Sequence, residues 1–438
     1  MKFVSTALGK ALVVALVALL VMIPIQMLRS LVVERAQMRE QAVESVSRGW
    51  GGRQSVGGPL LAIPMDFTSD NGRVVVRDHY LLPEALTVES ELKVLDDRRK
   101  LGVYEVPVYT ARIRLVATFD VAAKLAALGA ERIHIDRARL IIPVSDVRGV
   151  RDVKLSSDAL VSGAFEPQQG FPLAALGAAL RTDSGIDRGQ QTIDVTLDVA
   201  GTDALSFLPL ARSTSVQLDG NWADPGFARG FLPVERSITH GKFRAHWQVL
   251  DLNRSYGSHW FQDAVPAETL QESAFGVDLV QPVDLYQQAE RSVKYAGLFI
   301  ALSLLTLFLW EHLSRHPLHP IQYGLMGLAM SVFYLLLLAL AEQIGFTYAY
   351  VVAALALCAL LGIYLAGAFR SSRAGGGSTI AFGGTYALLY LLVTSEDYAL
   401  LAGSLALFAV LATVMVVTRR LNWYEPGANP VEDVPASR

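Results

Sequence analysis

Four residues in the stretch LFLWEHLSRHPLHPIQYGLM (307–326) carry side chains that ligate metals or move protons: Glu311, His312, His316 and His319. On one continuous helix, His312, His316 and His319 fall at i, i+4 and i+7, a single face on which imidazoles can converge on a divalent ion. Two prolines oppose that helix. Pro317 and Pro320 lack an amide N–H and push His316 and His319 toward extended backbone. The order Glu-His also departs from the His-Glu-x-x-His spacing that supplies two ligands and a base. The stretch therefore reads as a turn between two apolar runs, with no metal assigned to it.

Whether a turn belongs there depends on the elements on either side. The 438-residue chain is 52% hydrophobic and only 18% charged, an apolar excess that points to membrane spans. Charge is concentrated in the middle. Residues 31–294 hold 29 of the 38 Lys and Arg and 34 of the 41 Asp and Glu, a mild acidic excess. With no basic run, the chain gives no electrostatic case for nucleic acid or for an anionic lipid surface. Cys358 is the single cysteine and lies in an apolar run, so no disulfide can form within the chain. A domain above about 200 residues buries enough core to do without one.

Six segments approach the roughly 20 apolar residues that span a bilayer: 11–28, 295–310, 321–341, 347–369, 378–394 and 398–418. The first lacks the short core and small-residue cleavage site of a signal peptide and reads as an uncleaved anchor. The connections 311–320, 370–377 and 419–438 carry Arg315, Arg370, Arg373, Arg419 and Arg420, whereas 342–346 and 395–397 carry no Lys or Arg. With Lys2 and Lys10 ahead of the first span, the positive-inside bias places both termini in the cytoplasm and residues 30–294 outside, in the periplasm of a bacterial cell.

Beyond a polar helix to about Ser47, GWGGRQSVGGPLLAIP (49–64) opens a region of period two. Runs 74–83, 86–95, 101–119, 138–144, 192–200 and 242–250 read as strands. In the last, Phe243, Ala245, Trp247 and Val249 share one face, and Arg244, His246 and Gln248 the other. That alternation suits an antiparallel sandwich. Pro107 marks an edge or bulge. Short helices are expected near 121–129 and 172–181, and a loop at 182–191. The glycines of 49–58 could cradle an anion, but they lack a Lys-Ser/Thr ending and lead into strands, so they read as a tight turn into the β region.

The five later spans contain no Asp, Glu, Lys or Arg, which argues against proton relays, ion-coupled transport and intramembrane hydrolysis. Gly327 and Ser331 read as close helix packing. Tyr323, Tyr348, Tyr350, Trp310 and Trp423 fit an interfacial aromatic belt, and Glu342 a solvated loop end. His240, His246 and His259 are scattered, and no nucleophile elbow, phosphate loop or dinucleotide fingerprint is present.

Longer patterns carry a resemblance. GWGGRQSVGGPLLAIP, LGVYEVPVYTARI, IPVSDVRGV, NWADPGFARGFLPVERSI and FGVDLVQPVDLYQQAERSVKYAGLFIALSLLTLFLWE, followed by HPLHPIQYGLMGLAMSVFYLLLLALAEQIGFTYAY, resemble the CreD family of bacterial inner-membrane proteins. The likeness covers nearly everything from residue 49 to 370. It departs at ADPGF (223–227), where the family pattern has a further His and a Ser. The resemblance implies an anchor, a periplasmic domain and a multi-span bundle. It also implies links to envelope stress, colicin tolerance and a two-component regulon tied to carbon source and β-lactam response. It supplies no catalytic residue or ligand.

The expected architecture is a polytopic α-helical membrane protein with six transmembrane helices and a large inserted β-rich, sandwich-like periplasmic domain. Its parts are an anchor (1–29), the β-rich domain (30–290), a five-helix bundle (291–420) and a cytoplasmic tail (421–438). The expected function is non-enzymatic support of envelope integrity, as scaffold, sensor or modulator. The alternative is a transporter or lipid-handling protein built on the bundle. No catalytic, cofactor-binding or metal-binding residue is assigned. The lipid bilayer and other envelope proteins are the expected partners, nucleic acid is not, and the sequence sets no oligomeric state.

Overall fold

The computed structural model describes residues 7–394 apart from 69–72, 96–98, 102–103, 127–131, 157–160, 182–184, 187–188, 228–229, 280–284 and 315–317; beyond 394 it describes scattered positions between 401 and 419. The helices are α1 (Ala7–Trp50), α2 (Val121–Ala126), α3 (Ala267–Glu272), α4 (Leu285–Ser314), α5 (Pro320–Ile344), α6 (Phe346–Ala368) and α7 (Ser372–Thr394). The chain divides into two units, Met1–Met38 with Val283–Arg438, and Arg39–Pro282.

In the first unit, α1, α4, α5, α6 and α7 are long and apolar enough to cross a bilayer. These are five among the described residues. The sixth expected span, 398–418, lies largely outside them. The 44 residues of α1 extend over about 66 Å, roughly twice a bilayer's hydrocarbon thickness, so its polar second half is one helix with the apolar first half.

Two connections are shorter than their composition suggests. The expected connection 342–346 reduces to Gly345, whose φ of 79° lets one residue end α5 and start α6. The expected loop 370–377 is instead, from Ser372 on, the first turns of α7. Its Gly375 meets α6 closely: a Cβ there would lie 2.5 Å from Ala366 Cβ, and one on Gly362 of α6 would lie 1.9 Å from Thr379 Oγ1 of α7. Small residues facing each other let the two backbones approach.

The second unit is mixed β structure. One seven-stranded sheet runs in the order 150–155, 190–202, 108–120, 85–94, 213–220, 242–250, 235–239. Another contains 161–168, 175–180, 139–143, 60–68, 74–81 and 259–261, with 132–133 also paired to 60–68. A four-stranded sheet joins 54–57, 204–208, 275–279 and 225–226. All six expected strand runs are present. Pro107 falls between strands 104–106 and 108–120, where no ladder N–H is required.

Two expectations are corrected. The sheets are not wholly antiparallel, since 85–94 pairs parallel with 213–220 and 54–57 parallel with 204–208. The stretch 172–181 is no helix: Ala175–Leu180 is an interior strand between 161–168 and 139–143. Strand 85–94 buries every second residue. Its inward side chains join those of strands from both large sheets in one core that includes Ile113, Leu140, Phe119 and Trp247, the largest favourable term for this unit.

Candidate functional site

In the membrane unit, polar side chains gather where α1 meets α4 and α5. Glu311 lies on the last turns of α4 and is only 6% exposed. Lys10 of α1 donates to its Oε1, and the Tyr323 hydroxyl of α5 donates to its Oε2 at 2.7 Å. Toward the other end of the same helices, Arg35 of α1 lies 3.9 Å from Glu342, which also accepts from the Tyr286 hydroxyl at 3.2 Å. Between these ends, a Cβ on Gly327 of α5 would lie 2.7 Å from Val21, and one on Gly297 of α4 3.0 Å from the Met22 sulfur. Helix α1 is thus pinned at two polar ends and at one apolar point.

Away from those points a groove of about 660 Å³ separates α1 from α4. Ala11, Ala15, Ala18 and Met22 line it from α1, and Gly297 and Ala301 from α4. The four α1 residues recur at one-turn intervals on one face. Five of the eleven lining residues are Ala or Gly, and Val14, Leu19, Leu304, Leu305 and Phe308 complete an apolar wall.

In the β-rich unit, the glycine-rich stretch after Trp50 packs against 145–149 and 200–206. Gly52 N donates to Asp146 Oδ2 at 2.9 Å, and Ser55 N to Ser145 Oγ at 2.8 Å. The Gln54 amide donates to the carbonyls of Asp146 and Ala200 at 3.0 and 3.1 Å. Donors that could have cradled an anion hold protein oxygens instead, and the stretch is the expected tight turn. Gly51 shows why it must be glycine: with φ at 126°, a Cβ would stand 2.5 Å from Ala200 O. Nearby, the Arg148 guanidinium holds the Asp146 carboxyl below its usual range. Burial raises that of Asp203, with Arg53 and Arg39 opposing.

His79 lies deeper. It is fully buried, and neither ring nitrogen has a hydrogen-bond partner among the described residues. Phe261 is 4.5 Å away and His259 5.2 Å, ring centre to ring centre. Burial, followed by repulsion from His259, lowers its pKa to about 4, so the ring is neutral at ordinary pH.

Of the four residues of 311–319, the structure places Glu311 and His312 on α4 and His319 at the start of α5. Helix α4 continues through Ser314, so Glu311 belongs to a helix rather than a turn. His319 caps α5: its Nδ1 accepts from Ile321 N at 3.3 Å, while Gln322 Oε1 accepts from His319 N at 2.7 Å. Pro320 at the first helical position suits such a start. His316 lies outside the described residues.

Two belt residues prove interior. Tyr323 is bound to Glu311, and the buried Tyr350 donates to Tyr386 O at 2.7 Å. Position along a span sets a side chain's depth but not which way it faces. Tyr348 is 72% exposed, and Trp423 lies outside the described residues. Glu342 is helical and held by Tyr286, not a solvated loop end. Gly327 and Ser331 pack as expected, Gly327 against Val21 and the Ser331 hydroxyl onto Gly327 O at 3.1 Å. Sequence reasoning weighed Lys10 for orientation alone and passed over Arg35 and Tyr286. The available signal was an acidic residue directly after an uncharged run, with a lysine directly before another.

Comparison with known proteins places this arrangement. The model of the family described as inner membrane protein CreD matches residues 6–424. An Escherichia coli (strain K12) protein described as "Inner membrane protein CreD" is 35% identical over 424 residues, covering 93% of this chain and 91% of that protein.

Proposed function

The chain belongs to the CreD family of inner membrane proteins, and from that premise we propose that it supports cell-envelope integrity without catalysis, through a periplasmic β-rich unit that acts as scaffold, sensor or modulator. The observation that carries the reading is the insertion of the unit 39–282 between the first half of α1 and α4, both parts of the membrane unit. A unit tethered at both ends is restricted in tilt and height, which suits reporting on or bracing its surroundings. The arginine-bearing connections favour cytoplasmic ends and a periplasmic β unit. The two large sheets sharing one core favour a sandwich.

Complementation of a deletion strain under membrane-damaging stress tests this. A variant with His312, His316 and His319 all changed to Ala is expected to rescue. One in which a linker replaces residues 50–285, present at equal abundance in the membrane, is expected not to. Rescue by the second, or turnover of a defined wall or lipid substrate by purified protein, overturns the reading.

The groove between α1 and α4 favours a second reading, in which the membrane unit handles lipid. Uncharged spans suit an apolar cargo, and transfer of labelled phospholipid by reconstituted protein tests it.

A further inference from the structure

The groove has two different ends. Toward one, Met22 closes on Gly297 and Val21 on Gly327. Toward the other, Ala11 is followed outward by Lys10, and the wall of α4 continues one turn to Glu311. Ala11 to Met22 spans about 16 Å along the helix, so the space is a slot of that length, apolar along its sides and charged at its open end. It lies within helices apolar enough to cross a bilayer, where the adjacent medium is lipid hydrocarbon.

Of the chain's last segment, the described Gly403 lies beside α7. A Cβ on Gly403 would lie 3.9 Å from Leu392 of α7, beside a helix that contributes nothing to the groove. A molecule suited to the slot has an unbranched apolar tail and an anionic group at one end. Lys10 keeps 24% of its side chain exposed and has three N–H donors, of which Glu311 takes one.

We propose that the groove between α1 and α4 binds one acyl chain of a bilayer glycerophospholipid, with the lipid phosphate on the Lys10 ammonium. This rests on the lipid-handling reading and narrows it to a site. Glu311 and Tyr323 are positioning residues, since they hold Lys10 at the mouth of the slot. Glu311 offsets the charge of Lys10, so the phosphate is held by the two remaining ammonium N–H donors rather than by a net positive charge at the mouth.

The test is native mass spectrometry of the full chain extracted in mild detergent, with phosphatidylethanolamine and oleate added separately as probes. Wild type is expected to retain a phospholipid in preference to oleate. Ala15→Phe and Ala301→Phe fill the slot from exposed positions. Each is expected to lower occupancy roughly tenfold with elution volume and melting temperature unchanged, and Lys10→Met with Glu311→Leu, which leaves no unpaired charge, to remove the preference over oleate. Lipid-free wild type, equal retention by the filled variants, or a wild-type dimer that Ala301→Phe dissociates would each overturn the site. Retained lipid without transfer between vesicles would instead leave the site standing and defeat lipid handling as transport.

Discussion

The membrane unit and the β-rich unit each bury an ionisable side chain, and they do so in opposite ways. Glu311 is enclosed together with partners, a lysine from α1 and a tyrosine from α5. His79 is enclosed with none, among Phe261 and strand side chains. Among helices in hydrocarbon, a carboxylate is tolerated when its partners are buried with it. In a β core, an imidazole is tolerated by giving up its proton, because the neutral ring is the form that desolvation penalises least. The first solution uses three elements and ties them together. The second uses one residue and makes the unit sensitive to pH.

Breaking the first arrangement is expected to have the largest effect. Glu311→Ala leaves Lys10 partly buried without its counter-ion, a change expected to destabilise the membrane unit by about 3 to 5 kcal/mol. Lys10→Met with Glu311→Leu removes both charges and is expected to recover most of that loss, since a buried pair adds little over an apolar replacement. Thermal unfolding in detergent of wild type, Lys10→Met, Glu311→Leu and the double variant gives the coupling directly. If the double variant is as unstable as Glu311→Ala, the pair is not what joins α1 to the bundle.

The second arrangement predicts a pH dependence with a definite sign. His79 has a folded-state pKa of about 4 against 6.5 unperturbed, so on acidification the unfolded chain takes up the proton first. The stability that neutral His79 allows is fully present above about pH 6.5 and is lost as pH falls toward about 4, a total of roughly 3 kcal/mol. Urea midpoints followed by tryptophan fluorescence at about pH 7 and about pH 4.5 read this loss, and His79→Leu is expected to flatten it. An unchanged slope in His79→Leu would assign the acid sensitivity to other groups.

Gln54, also fully buried, sharpens the comparison because the β unit satisfies its amide donors with backbone carbonyls. That contact needs bare backbone at Gly149, where a Cβ would lie 2.1 Å from Gln54 Nε2 and 2.3 Å from Ala200 O. Gly149→Ala is expected to destabilise the unit by about 1 to 3 kcal/mol. Gly52→Ala, whose Cβ would meet only Asp146 Oδ2 at 3.4 Å, is expected to stay near wild type in the same urea titration.

The sequence made some of these features legible and hid others for physical reasons. Strand 242–250 was readable because its inward residues strictly alternate with solvated ones. Strand 175–180, ALGAAL, was not: all but one of its residues are buried, so no alternation exists, and its composition favours a helix. The first turns of α7 were hidden in the same way, because three glycines signal a loop until Gly375 is known to pack against α6 and Gly377 against Trp310. The turn after Trp50 could be read from its glycines, yet the acceptors that make it tight come from 145–149 and 200–206. Lys10 and Glu311 are 301 positions apart, and no local pattern joins them. Depth in the membrane follows from hydropathy, whereas the direction a tyrosine faces depends on neighbouring helices.

Arg35 and Glu342 provide the finest test of the comparison, because they repeat the Lys10–Glu311 motif at the other end of α1 with less enclosure. Their closest approach is 3.9 Å, and the Arg35 side chain is 40% exposed where that of Glu311 is 7% exposed. A loosely formed, partly solvated pair contributes at most about 1 kcal/mol, and Tyr286 still donates to Glu342 when the arginine is gone. Arg35→Ala is therefore expected to shift the melting temperature only slightly, and less at high salt, where screening has already weakened the pair. Glu311→Ala is expected to keep most of its effect at high salt, because the carboxylate and Tyr323 are buried and Lys10 is mostly so. A loss for Arg35→Ala as large as that for Glu311→Ala would mean that enclosure is not what separates the two pairs. The anchoring of α1 would then be shared equally between its ends.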